Sequence, residues 1–271
     1  MSSKMKIGVL TGGGDCPGLN PAIRSVVHRA TAGGHEVVGI LDGWKGLATV
    51  GAPLTRPLDR AAVHGIQAQG GTMLGSSRTN LLKRDGGLDA AEANMRALGL
   101  NALIAIGGDD TLSVAAGLAK RGAAVNAIPK TMDNDVWGTE GCLGFDTAAN
   151  IVTEAIDRIA TTTASHHRVA VVEVMGRDAG WVAAWGGLAG GAHAILIPEV
   201  EFTAAALDEL VAKLKARRHA VGGPSGCSAP RAPCVPQESW RAHRQRRLCR
   251  VAGDRTRRAA PTLLLSRPPG A

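Results

Sequence analysis

The chain has 271 residues, of which 45% are hydrophobic and only 3% aromatic, with 36 glycines and no Tyr. That length accommodates one large or two smaller α/β domains with a substantial core, and the low aromatic content suits helices packed on a parallel sheet. The net charge of +8 is unevenly spread: residues 217–271 carry 12 Arg and two acids, whereas residues 1–216 carry 19 basic and 21 acidic residues, so overall charge gives no ground for a nucleic-acid partner.

Strand and helix signals alternate through residue 218. KIGVL (6–10) reads as a strand and runs into the glycine turn TGGGDCPG. Asn20 then offers an N-cap with Pro21 at the first helical position, ahead of AIRSVVHRAT. HEVVGIL (35–41) is a second strand, DAAEANMRALG (89–99) a helix closed by glycine, ALIAI (102–106) a strand, TLSVAAGLAKRG (111–122) a helix and AVNAI (124–128) a strand. TAANIVTEAIDRIATTT (147–163) places Ile151, Ala155, Ile156 and Ile159 on one helical face. RVAVVEV (168–174) and HAILI (193–197) read as strands, and TAAALDELVAKLKARR (203–218) as an amphipathic helix. The predicted fold is therefore α/β, with βαβ units, a mostly parallel sheet and ligands beyond the C-terminal strand ends.

The uncharged run 179–198 is long enough to span a bilayer. Its five glycines, His193 and terminal proline predict instead a buried helix, a turn and a strand. Five cysteines without CxxC spacing, behind an N-terminus without a long apolar segment, predict free thiols and a cytoplasmic protein. After residue 219 the apolar period stops. The remaining tail holds seven prolines, three cysteines and no lysine, and reads as disordered.

Three segments carry chemistry. TGGGDCPGLN (11–20) resembles an anion-binding turn at a helix start, although tight turns without a ligand are as common. GGDDT (107–111) sets Asp109 beside Asp110. Two adjacent carboxylates suit either a solvated helix cap or a Mg²⁺ site in which oxygen ligands meet substrate phosphates. PKTMDND (129–135) gathers a lysine, a hydroxyl and two carboxylates within seven residues. A turn needs none of them together, and phosphoryl transfer can use all of them. Lys130 would meet phosphate charge, Asp133 would take a proton from an attacking hydroxyl, and Asp135 would hold metal.

These three segments, with GGTMLGSSR (70–78), ASHHR (164–168) and VVEVMGRDAGW (171–181), resemble in order and spacing the signature blocks of the phosphofructokinase family, over residues 5–218. The resemblance implies two Rossmann-like lobes, 1–140 for donor and Mg²⁺ and 141–218 for part of the sugar-phosphate site, followed by the 219–271 tail. It implies transfer of a phosphoryl group to the 1-hydroxyl of fructose 6-phosphate. Gly13, Arg78, Gly108, Asp109, Asp110, Thr111 and Lys130 would contact the donor, and Asp109 and Asp135 the metal. Thr131, Asp133, Arg168, Met175, Gly176 and Arg177 would contact the sugar phosphate, with Asp133, Thr131, Lys130 and Arg177 catalytic. It also implies a homodimer or homotetramer, with Arg168 reaching a neighbouring subunit's sugar phosphate. Arg24 matches an effector-pocket position of some bacterial relatives. His166 and His167 read as surface or interface residues.

Family members that use ATP generally have glycine where this chain has Asp110, and pyrophosphate users have aspartate there and lysine at the position of Lys130. A carboxylate at 110 would obstruct and repel a nucleotide's α-phosphate, which favours pyrophosphate over ATP. Lysine alone does not decide it, since some ATP users share it. The family's later blocks, an acidic residue for the sugar and a TxLGHxQRGG-like stretch, do not follow KARRHAV. A reading-frame shift near residues 220–222 would produce that change, and it leaves open a truncated product without catalysis. A lipid or NAD kinase would share GGDDT but not PKTMDND. The Arg-rich stretch 241–250 has charge for phosphate contacts without a nucleic-acid reader motif.

Overall fold

The computed structural model describes residues 4–166, 169–201, 203–220, 234–236 and 263–264. The chain divides into two compact units, one of Met1–Thr131 and Val136–Gly144, the other of Met132–Asp135 and Phe145–Ala271.

In the first unit, β1 (Lys6–Thr11), β2 (Glu36–Ile40), β3 (Thr55–Leu58), β4 (Ala102–Gly107), β5 (Val125–Thr131) and β6 (Leu143–Gly144) form one sheet in the order β3-β2-β1-β4-β5-β6. Every pairing is parallel except β2 with β3. Helices α1 (Leu19–Ala32), α2 (Gly43–Leu47), α3 (Gly87–Ala97) and α4 (Asp109–Lys120) complete the unit.

Alternation along the strands sorts side chains to the two faces of this sheet. Val9, Val37 and Ile106 pack with Leu19, Ile23 and Val27 of α1. Leu10, Ile40, Leu103 and Ala105 pack with Met95 of α3 and Val114, Ala115 and Leu118 of α4. The helix after β1 thus covers one face and the helix after β4 the other. Adjacent strands send their chains opposite ways, so the C-terminal ends of β1 and β4 flank the topological switch point, the place where sheets of this kind generally bind ligands.

The start of α1 differs from expectation. Gly18 is its N-cap, in the left-handed region at φ 98°, and Asn20 is buried in the first turn. The Asn20 amide donates to Gln69 O at 3.0 Å and accepts from Met73 N at 2.8 Å, so it is committed to a distant loop and cannot cap its own helix.

The second unit holds α5 (Phe145–Ser165), β7 (Val171–Val174), α6 (Trp181–Ala189), α7 (Ala204–Ala220), β8 (Cys234–Pro236) and β9 (Leu263–Leu264), with parallel strand order β8-β7-β9. Its core joins Ile156, Val174, Val182 and Ala183. The inner face of α5 is shifted from the expected stripe: Val152 and Ile156 face inward, while Ile151 is 57% exposed. Gly186 of α6 and the Gly190 that caps it set this register. A methyl added at Gly186 would come 2.6 Å from Val152 Cγ1, and one at Gly190 would come 2.9 Å from Ile156 Cδ1.

The uncharged run becomes α6 and a turn. Within His193–Ile197 the expected strand shrinks to an isolated bridge at Ile195, because Gly190 and Gly191 end the helix late and Pro198 follows at once. No helix among the described residues is long and apolar enough to cross a membrane. Both neighbours of β7 come from the Arg- and Pro-rich tail, whose other residues after Ala220 lie outside the described ones.

Candidate active site

In the first unit, the turn after β1 and the turn after β4 are built around one buried threonine. Thr111 is 3% exposed, and any side chain at Gly12 or Gly107 would collide with it. Both positions therefore require glycine for close approach. Gly12 N donates to Ile106 O at 2.9 Å and Gly13 N to Ser77 O at 3.0 Å. The N–H groups of these two glycines are thus engaged in holding the turns. Gly13, at φ 82°, brings its Cα edge toward Lys130: a methyl there would lie 3.7 Å from Lys130 Nζ.

Lys130 is 4% exposed near the end of β5, and its Nζ donates to Gly14 O at 2.5 Å. A buried ammonium needs such a partner. It also acts on Cys16, whose thiol burial pushes up to about 11 while the Lys130 charge opposes that rise. The Cys16 thiol donates to Leu143 O at 3.3 Å, linking the glycine turn to β6.

Gly108 caps α4 in extended backbone, so Asp109 and Asp110 are first-turn helix residues rather than loop residues. Both are exposed, where the helix dipole favours a negative charge. Asp110 Oδ1 accepts from Asn80 Nδ2 at 2.7 Å, and Lys83 Nζ lies 3.7 Å away. Sequence reading missed both partners, since nothing local marks a residue 30 positions distant as a carboxylate's neighbour.

Arg78 is exposed on the loop that begins near Gln69, and hydrogen bonds from several elements pin this loop. Asn20 holds both Gln69 and Met73, Thr11 Oγ1 donates to Gly75 O at 2.7 Å, Ser76 Oγ donates to Gly13 O at 2.5 Å, and Ser77 Oγ donates to Asp42 O at 2.8 Å. The first unit thereby brings together Gly13, Gly108, Asp109, Asp110, Thr111 and Lys130 at the C-terminal ends of β1, β4 and β5, with Arg78 on the adjoining loop. Thr131 is half-buried at the end of β5.

In the second unit, Asp133 is buried at 9% exposure, Asn134 is left-handed at φ 55°, and Asp135 is exposed. Met175 follows β7 and is 51% exposed, whereas Gly176 is buried. Arg177 is exposed at φ 49°, a conformation that costs about 1–2 kcal/mol for a side chain of this kind. Ala179 N donates to Gly176 O at 2.8 Å, and Glu199 Oε1 accepts from Gly180 N at 2.7 Å, so the loop is closed on itself and anchored from 19 residues away. Arg168 and His167 lie outside the described residues, and His166 is exposed at the end of α5.

No cluster of three or more His, Cys, Asp or Glu with metal-site geometry occurs among the described residues. A fully protein-built cage is not what Mg²⁺ requires: it commonly takes one or two carboxylates, waters and substrate phosphate oxygens. The exposed Asp109 carboxylate fits that donor set.

The sequence profile of the family described as phosphofructokinase matches residues 6–225. The chain is 53% identical over 221 residues to pyrophosphate–fructose 6-phosphate 1-phosphotransferase of Dictyoglomus thermophilum, covering 81% of this chain and 63% of that protein. It is 51% identical over 214 residues to ATP-dependent 6-phosphofructokinase 3 of Streptomyces coelicolor, covering 79% and 61%. The chain thus spans about three fifths of the length of these relatives. Its fold superposes on phosphofructokinase from Pichia pastoris in the T-state with a TM-score of 0.82 at 25% identity, covering 94% of this chain and 27% of that one. A profile match over most of the chain, close relatives of two donor types and a shared fold agree: this chain belongs to the phosphofructokinase family.

Proposed function

We propose that this chain carries the donor site and part of the sugar-phosphate site of a 6-phosphofructokinase that takes pyrophosphate in preference to ATP. The carrying observation is the buried Lys130 ammonium, held on Gly14 O at 2.5 Å beside the glycine turn. A desolvated cation so fixed is pre-organised for a small polyanion and needs no rearrangement as charge develops. Two acids at the start of α4 complete the argument. Asp109 is the carboxylate offered to a divalent cation, and Asp110 adds bulk and negative charge against a nucleotide.

In this reading Asp133 accepts the proton of the sugar's 1-hydroxyl as that oxygen attacks the terminal phosphorus of the donor. The bond from phosphorus to the leaving oxygen breaks, and inorganic phosphate departs when the donor is pyrophosphate. Lys130 and Arg78 balance charge on the donor, with Gly13, Gly108 and Thr111 shaping its seat. Thr131, Met175, Gly176, Arg177 and Arg168 hold the sugar phosphate. A bound Mg²⁺ would supply charge neutralisation on the donor oxygens, with Asp109 and Asp135 as the residues that would hold it. Assembly as a homodimer or homotetramer belongs to the same proposal.

An ATP donor is the second reading, favoured by the 51% identity to the ATP-dependent Streptomyces coelicolor protein. The test supplies purified chain with fructose 6-phosphate and Mg²⁺, and with pyrophosphate or ATP in parallel. The expected result is fructose 1,6-bisphosphate from pyrophosphate, reduced by about a hundredfold or more in Asp133→Asn. Product from ATP alone would overturn the donor assignment. Absence of product from either donor with folded protein would leave a chain without catalysis.

A further inference from the structure

Building on the pyrophosphate reading above, we propose that Asn80 is a positioning residue for donor choice: its amide, locked by a helix cap, holds the Asp110 carboxylate where it excludes a nucleotide. An asparagine amide has an accepting end and a donating end. Here Oδ1 accepts from Leu82 N at 2.9 Å, as N-cap of the 3₁₀ turn Leu81–Lys83. With the oxygen committed, Nδ2 is the end left over, and it donates to Asp110 Oδ1 at 2.7 Å. A flipped amide would set its NH₂ against the Leu82 N–H and its oxygen against a carboxylate, so both neighbours enforce one orientation.

The turn that carries Asn80 is itself indexed to α4. Leu81 is 1% exposed and shares the core with Val114, Ala115 and Leu118. Leu82 lies over Gly117, where an added methyl would come 3.1 Å from Leu82 Cδ2. Lys83 then sets its ammonium 3.7 Å from the same Asp110 oxygen that Asn80 holds. The Asp110 side chain is 74% exposed. Untethered, such a carboxylate exchanges rotamers freely and would swing away from an incoming phosphate. A discriminating charge has to stay put, and the 80–83 turn supplies the restraint.

The test is calorimetric binding of Mg-pyrophosphate and Mg-ATP to the full chain, which reads donor choice whether or not the chain turns over. Asn80→Ser keeps a capping oxygen for Leu82 N but cannot reach Asp110. It is measured alone and in an Asp110→Gly background. The expected result is a loss of about fivefold in preference for pyrophosphate over ATP, the scale of one charged hydrogen bond in an exposed place. In the Asp110→Gly background the same substitution is expected to change the preference not at all, since the group it positions is gone. Should Asn80→Ser fail to fold, Asn80→Asp keeps the cap and turns the tether into a repulsion, and it must lower the preference further. An unchanged preference, or an equal change in both backgrounds, overturns the role of Asn80 and leaves the pyrophosphate reading standing. Wild-type chain that binds ATP more tightly, or neither donor, overturns the pyrophosphate reading and this role with it.

Discussion

The ammonium of Lys130 and the carbonyl oxygen of Gly14 are 2.5 Å apart, joining the end of β5 to the glycine turn after β1 across 116 residues of sequence. The bond crosses over β4, which lies between the two strands in the sheet. It therefore fixes the spacing of two strand ends that do not pair with each other. It also explains how a lysine is kept in the interior, since its charge has a carbonyl dipole to rest on.

Lys130→Met keeps the length of the side chain and removes the charge. The Gly14 carbonyl then loses its partner, which is expected to cost about 1 kcal/mol in thermal or urea melts. Turnover with pyrophosphate is expected to fall by on the order of a hundredfold, because an oriented cation at the donor is lost. Unchanged turnover in the folded variant would remove Lys130 from the donor site.

Asn20→Ala removes two of the bonds that hold the loop bearing Arg78, those to Gln69 O and from Met73 N. The Gln69 carbonyl and the Met73 N–H are left without these partners, at an expected total cost of about 2 kcal/mol or more. Limited proteolysis should cut faster between Gln69 and Arg78 than in the parent chain. An equal cutting rate would show that Thr11, Ser76 and Ser77 suffice to hold the loop.

Glu199 closes the loop that follows β7 by accepting from Gly180 N at the start of α6. Glu199→Gln keeps an acceptor and loses the charge that complements the helix N-terminus, an expected loss of about 0.5 kcal/mol. Glu199→Ala loses both and is expected to cost about 1 kcal/mol. Equal melting temperatures for the two variants would show that the charge alone matters.

Burial raises the pKa of Glu173, on β7, above its ordinary value. The folded chain then holds a proton that the unfolded chain has released, so stability falls as pH rises from the unfolded pKa through the folded one. Glu173→Gln removes this penalty. Its melting temperature is expected to exceed the parent's at pH 7, with the difference closing below about pH 4, where the carboxyl is protonated in both states. A difference independent of pH would assign the effect to packing.

Most of the strand and helix grammar was legible in sequence because it rests on local rules. The period of two along 6–11 and 102–107 sorts side chains to opposite faces, and glycine closes α3. The errors fall where a distant partner overrides a local preference. Asn20 looks like a cap, and it is taken by Gln69 and Met73. Ile151 looks inward-facing, and Val152 wins because Gly186 of α6 presses there. Residues 193–197 are β-prone, and the late end of α6 and Pro198 leave only a bridge. Nothing local marks Cys234–Pro236 or Leu263–Leu264 as strands, since their pairing depends on β7.

The sequence by itself determined the α/β class, the family and the residues that bear charge or hydroxyls, because these depend on composition at fixed spacing along one chain. Only the tertiary structure decided what each residue contacts. It spent the N–H groups of Gly12 and Gly13 on Ile106 and Ser77, put Thr111 under the turns, set Lys130 on Gly14 and gave Asp110 to Asn80. Hydrogen bonds and close packing are properties of distance in space, and the parallel sheet brings together strand ends that sequence keeps 30 to 120 residues apart.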